Sequence, residues 1–259
     1  MTAEALALPE LLPAWTFGFL LVVCRIGAAI ALLPGLGELE LPATVKVALT
    51  LALSALLWPA LSPVLPPPPA DAATAVRLVV GDVLIGLWLG LLARIAVLSF
   101  AMAAQYVGLL LGLSSAMLFD PSFGATGTAL SRLMGLSALV VLFASGLHVL
   151  PLAALAGSYR LFPAGGGLPT EAAAESVVAA TASSLALALA LAGPFVLASV
   201  VFQLALGLLS RLVPQMQVFF VALPLQLAAG LALLAAIGGT MTAVWLGAVR
   251  ALLAGLPGL

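Results

Sequence analysis

Few residues in this 259-residue chain could do chemistry. The single histidine, His148, lies three residues after Ser145, so the two could share one face of a helix. A nucleophilic serine needs its base oriented by a third group, and no carboxylate lies nearby in sequence to do that. A polar histidine near a helix end is the better reading. HExxH is absent, GxxxxGK[ST] is absent, and pieces such as Thr126-Gly127-Thr128 do not make a nucleotide loop. The GxSxG elbow of the serine hydrolases is missing too. One cysteine, Cys24, excludes an internal disulfide framework and a cysteine metal cluster. No catalytic residue, cofactor or metal ligand is expected. What stands out instead is charge in apolar surroundings: Arg25, Asp82 and Arg94. A charge at the centre of a bilayer costs roughly 2.5–3.5 kcal/mol on insertion scales, so these side chains should face protein or water. Two readings stay open. One is internal ion pairing, for example with Asp82 or Glu38; the other is the lining of a pathway. With His148, they are few for a proton relay.

The elements that hold these residues follow from composition. Hydrophobic residues are 64% of the chain and charged residues only 7%, against about a quarter charged in a soluble domain. That excludes a soluble monomer and a disordered chain. A net charge of -1 excludes the basic footprint of a nucleic-acid binder. Aromatics are 7%, without the alternation and girdles of an outer-membrane barrel. The class that remains is an all-α, polytopic membrane protein in contact with lipid. The first residues carry Glu4 and Glu10 and no Lys or Arg before Pro13, unlike the basic start of a signal peptide.

Proline and glycine divide the apolar sequence into six segments, about 14–33, 43–61, 76–112, 129–155, 176–211 and 216–253. The run from Pro63 to Pro69 is a stiff connector that no helix crosses. The third segment, as a straight helix of about 55 Å, would far exceed a hydrocarbon core of about 30 Å. The fifth and sixth are similarly long and contain Pro194 and Pro224. If every segment crosses once, Lys46, Arg132 and Arg211 fall on one side and Arg77, Arg160 and Arg250 on the other. That tie fixes no orientation. Gly86, Gly90, Gly108 and Gly112 lie on one face if the third helix is continuous, a small-residue face for close packing within the chain or against another subunit.

Four stretches together resemble the FliR family of flagellar and type III secretion export-gate proteins. The first is Leu206-Gly207 with Arg211, Pro214-Gln215, Gln217, Phe219 and a later Pro224. Arg25, Pro34, Gly37, Pro42 and Lys46 form the second, and Gly108 to Gly112 leading to Phe119-Asp120-Pro121 the third. Gly146 and His148 with Ser158 and Pro163 form the fourth. Lys46 stands where Arg is also usual, and Gln217 where Asn is common. The order and chain length agree over nearly the whole sequence.

The resemblance implies a FliP-like part, 1–180, followed by a FliQ-like helical hairpin, 181–259. Such a chain is built to pack with FliP and FliQ subunits into a helical multi-subunit channel, joined by FlhB and FlhA. Unfolded exported proteins pass through it, at the bacterial inner (cytoplasmic) membrane, in a flagellar basal body or type III secretion base. It also implies a plug at about 108–124. The residues there suit that role. Gly108, Gly112 and Ser114 are small and permit rearrangement, and Met117, Leu118 and Phe119 are bulky enough to exclude water. Asp120-Pro121 favours a turn. The other reading is an ordinary interhelical loop. Arg211, Gln215 and Gln217 would contact neighbouring subunits at the narrow cytoplasm-facing end. Alternatively, Arg211 only complements a helix C-terminus that Pro214 ends. The competing function is a self-contained secondary transporter of a small solute, though the matching broken repeats of such proteins are not visible.

Overall fold

The computed structural model describes residues 3–112, 129–212 and 218–259. Among them the regular elements are all helical. Helix α1 runs Ala3–Leu32, α2 Ala43–Leu61, α3 Ala72–Leu110 and α4 Ala129–Ala144. They are followed by α5 Val149–Leu161, α6 Thr170–Leu212 and α7 Val218–Ala254. Among the described residues, five stretches are long and apolar enough to cross a membrane: 13–32, 43–64, 72–110, 170–212 and 222–254; α4 and α5 are so only as a pair bent by 68°.

The punctuation acts where its chemistry requires. Pro42 precedes α2, and a single 3-10 turn, Ser62–Val64, separates α2 from the extended proline run. Asp71 then starts α3, its Oδ2 accepting the Thr74 N–H at 2.7 Å. That backbone bond to Thr74 holds the Asp71 carboxyl below its ordinary range. The fourth apolar segment, expected as one helix, is two. Ser145–His148 are turn residues, with Gly146 at φ 74°. Ser145 and His148 therefore do not share a helix face, which corrects the expectation from their spacing.

The chain forms two compact units, neither of them a consecutive stretch of sequence. The first contains 1–96, 145–180 and 252–259. The buried face of α1 is Val22, Ile26, Ala29 and Ile30, continued by Leu33 just past its end. Gly86 and Gly90 of α3 approach α1 at Arg25, Ala28, Ala29 and Leu32. Glycine sets the separation. A Cβ at Gly86 would collide with the Arg25 carbonyl oxygen, and one at Gly90 would sit 2.7 Å from that of Ala29. The small-residue pair thus packs on α1 of the same chain. Gly86 and Gly90 are covered and do not offer a face to another subunit. Phe19 and Trp58 join α1 to α2 edge to face at 5.6 Å.

The second unit contains 97–144 and 181–251. Its core includes Phe100, Ala104 and Val107 of α3, Met134 and Leu142 of α4, Phe195 of α6 and Trp245 of α7. Trp245 stacks on Phe100 at 5.0 Å and donates its indole N–H to Ser99 Oγ at 3.1 Å. Both partners of that bond are buried, so the one polar atom of the indole is satisfied.

Candidate functional site: a buried polar clamp and the end of α3

Arg25 is fully buried in the first unit. Its Nε donates to Asp82 Oδ1 at 2.7 Å, and a second guanidinium N–H bonds the same oxygen. The remaining nitrogen donates to the Phe162 carbonyl at 2.9 Å and Ser158 Oγ at 3.3 Å. Tyr159 lies over the guanidinium carbon, 4.1 Å from the ring centroid. One arginine on α1 therefore grips α3 through a carboxylate and α5 through a carbonyl, a hydroxyl and an aromatic face. The planar fork is suited to this, because its donors leave in fixed and divergent directions. Ser158 also donates to Leu155 O at 2.7 Å, which fixes its rotamer.

Arg94 is weaker in every respect. Its contacts to Glu38 Oε2 and Leu32 O are 3.5 and 3.4 Å, and its side chain is 28% exposed. Of the two readings left open for these arginines, internal pairing is what the described residues display. Trp88 adds a neighbouring tie, donating to Ser176 Oγ at 2.8 Å and meeting Phe162 edge to face. Sequence spacing could not find Ser158, Tyr159 or the Phe162 carbonyl as partners of Arg25. They lie more than 130 positions away, and a carbonyl acceptor leaves no trace in residue type. Among the described residues no group of three His, Cys, Asp or Glu could hold a metal ion.

In the second unit, Gly108 is buried and Gly112 follows the end of α3 with φ 76°. Ser114, Met117, Leu118, Phe119, Asp120 and Pro121 lie outside the described residues, as do Pro214, Gln215 and Gln217. Arg211 is exposed in the last turn of α6. A residue not singled out by sequence, Gln226, donates from Nε2 to Leu110 O at 2.7 Å.

These features define a class: an all-helical polytopic membrane protein whose buried charges bond the chain to itself. The particular family comes from sequence comparison. The profile of the bacterial export proteins, family 1, matches residues 16–252. The flagellar biosynthetic protein FliR of Caulobacter vibrioides is 34% identical over 90% of this chain and 93% of its own. FliR of Escherichia coli is 31% identical over 82% and 81%. The Yop proteins translocation protein T of Yersinia pestis is 26% identical over 60% of each chain. The chain belongs to the FliR family of bacterial export proteins.

Proposed function

We propose that this protein is a non-catalytic channel subunit of the flagellar, or related type III, protein export gate in the bacterial inner membrane. It assembles with FliP- and FliQ-type subunits and with FlhB and FlhA, and unfolded substrate proteins pass through the assembly. The division into a FliP-like part, 1–180, and a FliQ-like hairpin, 181–259, belongs to this reading. So does the closure of the channel by Gly108 to Gly124.

The observation that carries the proposal is the exposed apolar surface of α6. Leu185, Leu189, Val196, Val200, Leu204, Leu208 and Leu212 are all exposed and recur at steps of four and seven. They form a band about 40 Å long that winds about half-way round the helix, against a hydrocarbon core of about 30 Å. A usual helix tilt of about 20° shortens its rise only to about 38 Å. At that tilt about 8 Å of it lies beyond the hydrocarbon, and apolar surface there favours a protein partner. A solitary solute transporter leaves the excess in water.

The test is co-expression with the partner subunits and deletion of Ser114 to Phe119. A soft apolar plug excludes water when packed and yields to an entering chain, so the complex should assemble and leak small ions. The measurement is ion conductance of cells carrying the assembled complex. A tight membrane after the deletion refutes the plug. Recovery of the lone chain as a stable monomer that transports a small solute refutes the channel subunit.

A further inference from the structure

The last carbonyls of any helix lack an in-helix donor and must find one elsewhere. At the end of α3 one of them finds it on α7. Gln226 Nε2 donates to Leu110 O at 2.7 Å. One turn further along α7, on the same face, Gly230 leaves a notch. A Cβ built there would overlap the Leu111 side chain, which is 6% exposed and fills the space. The helix then closes by Leu111 N–H to Val107 O at 2.9 Å and Gly112 N–H to Leu109 O at 3.1 Å. Gly112 turns the chain out at φ 76°, a conformation that glycine adopts without strain. Open space lies on both sides of Gln226. A cavity of about 370 Å³ reaches Gln203 and Leu206, and a smaller one of about 70 Å³ reaches Phe195 and Phe202. Packing beside the carbonyl is therefore loose, and a hydrogen bond and a filled notch hold the end of α3.

We infer that Gln226 and Gly230 form a two-point cradle on α7 and are positioning residues: they set where the chain leaves α3. Gln226 fixes the height of the last turn by its carbonyl, and Gly230 fixes its rotation through Leu111. The consequence for the seal rests on the proposed plug, because the exit point of α3 determines where the following residues begin.

The experiment uses the complex assembled with its partner subunits. Hydrogen exchange is followed at the Leu111 and Gly112 amides, and ion conductance is measured in the same cells. The variants are Gln226→Leu, Gly230→Leu, Leu111→Ala and the size swap Leu111→Ala/Gly230→Leu. Loss of one hydrogen bond should speed exchange about fivefold. Gln226→Leu and Gly230→Leu should each do so and should leak ions, and the swap should restore both readouts. Unchanged exchange in Gln226→Leu overturns the cradle, and so does a swap no better than Gly230→Leu alone. If Gly230→Leu fails to assemble, the Gln226→Leu result decides by itself. Faster exchange with a tight membrane, where the Ser114 to Phe119 deletion leaks, overturns the positioning role. If that deletion is itself tight, the plug reading has failed, and exchange alone supports or overturns the cradle.

Discussion

Replacing Arg25 with Ala removes more than a charge. Asp82 is fully buried and both of its bonds to Arg25 end on one oxygen. Without the guanidinium it is an unpaired buried carboxylate, and breaking a buried pair in this way costs about 3–5 kcal/mol. That is about two to three and a half decades in an equilibrium constant. The Phe162 carbonyl also loses its 2.9 Å donor, and the Tyr159 ring loses a desolvated cation contact worth about 2 kcal/mol. The effects share one side chain, so the single-pair figure is a floor for the loss. Arg25→Lys should fall between the wild type and Ala. It keeps the charge for Asp82 but lacks the fork that reaches α3 and α5 together. Arg25→Leu/Asp82→Leu should recover much of what either single change loses, since apolar residues in place of a buried pair are often neutral. The assay is the yield and thermal midpoint of the detergent-solubilised complex after co-expression with partner subunits. An Arg25→Ala complex that assembles and melts like the wild type refutes the clamp. A double variant worse than both singles refutes the reasoning about an unpaired charge.

Arg94→Ala should cost far less stability, about 1 kcal/mol or under, and lower the same midpoint correspondingly little, because its contacts are long and partly exposed. A loss as large as that of Arg25→Ala would show that Arg94 does more than pair with Glu38. Gly86→Leu should abolish assembly, since its side chain would start on the Arg25 carbonyl; the check is complex yield, and a normal yield would mean that α1 and α3 tolerate separation. Trp245→Phe should cost about 1 kcal/mol through the lost indole hydrogen bond to Ser99, whereas Trp245→Ala should cost about 3–5 kcal/mol through the cavity as well. Equal losses in thermal midpoint would rule out that division. The Asp71 cap gives a pH dependence. Its carboxyl lies below the ordinary value near 3.8, so its support of α3 is full above that value and is lost as pH falls through the lower folded one. Asp71→Ala should narrow the gap between midpoints at neutral and strongly acid pH; an unchanged gap argues against the cap.

The helices were legible because composition leaves little else for such a chain and some prolines mark their ends, although Pro59, Pro194 and Pro224 lie inside helices. Pro42 and the run from Pro63 act locally, through a missing N–H and a fixed φ, so no distant contact can override them. The two intramembrane arginines were legible as residues in need of partners, since the cost of an unpaired charge in lipid holds in any fold. The rest depends on tertiary geometry. Whether Gly86 and Gly90 meet a neighbouring subunit or α1 depends on which helix lies opposite, and small-residue spacing is the same in both cases. The break at Ser145–His148 contains one glycine and no proline, a weak signal inside a continuous apolar run. Gln226 looked like one polar residue on an apolar helix. Its role appears only because the last turn of α3 brings a carbonyl to it.

Each unit is held together internally by different chemistry, and the difference bears on the proposed function. Between helices in lipid, apolar contact offers little net driving force, so close glycine contacts and buried hydrogen bonds set the register. The first unit is rich in both: the Gly86 and Gly90 approach to α1, the Arg25 clamp, and the Trp88 bond to Ser176. Such contacts tolerate little displacement, since each has one geometry at which it is satisfied. The second unit has an aromatic core at Trp245, but its described α3 end is held by one glutamine and one notch beside open space. Its part of α6 also carries the long exposed apolar band. The proposed channel subunit would use this separation: the close contacts of the first unit would keep its register, and the sparse ones lie at the end of α3, where the proposed plug begins. A protein whose every helix end was clamped like Arg25 could seal a channel but could not open one.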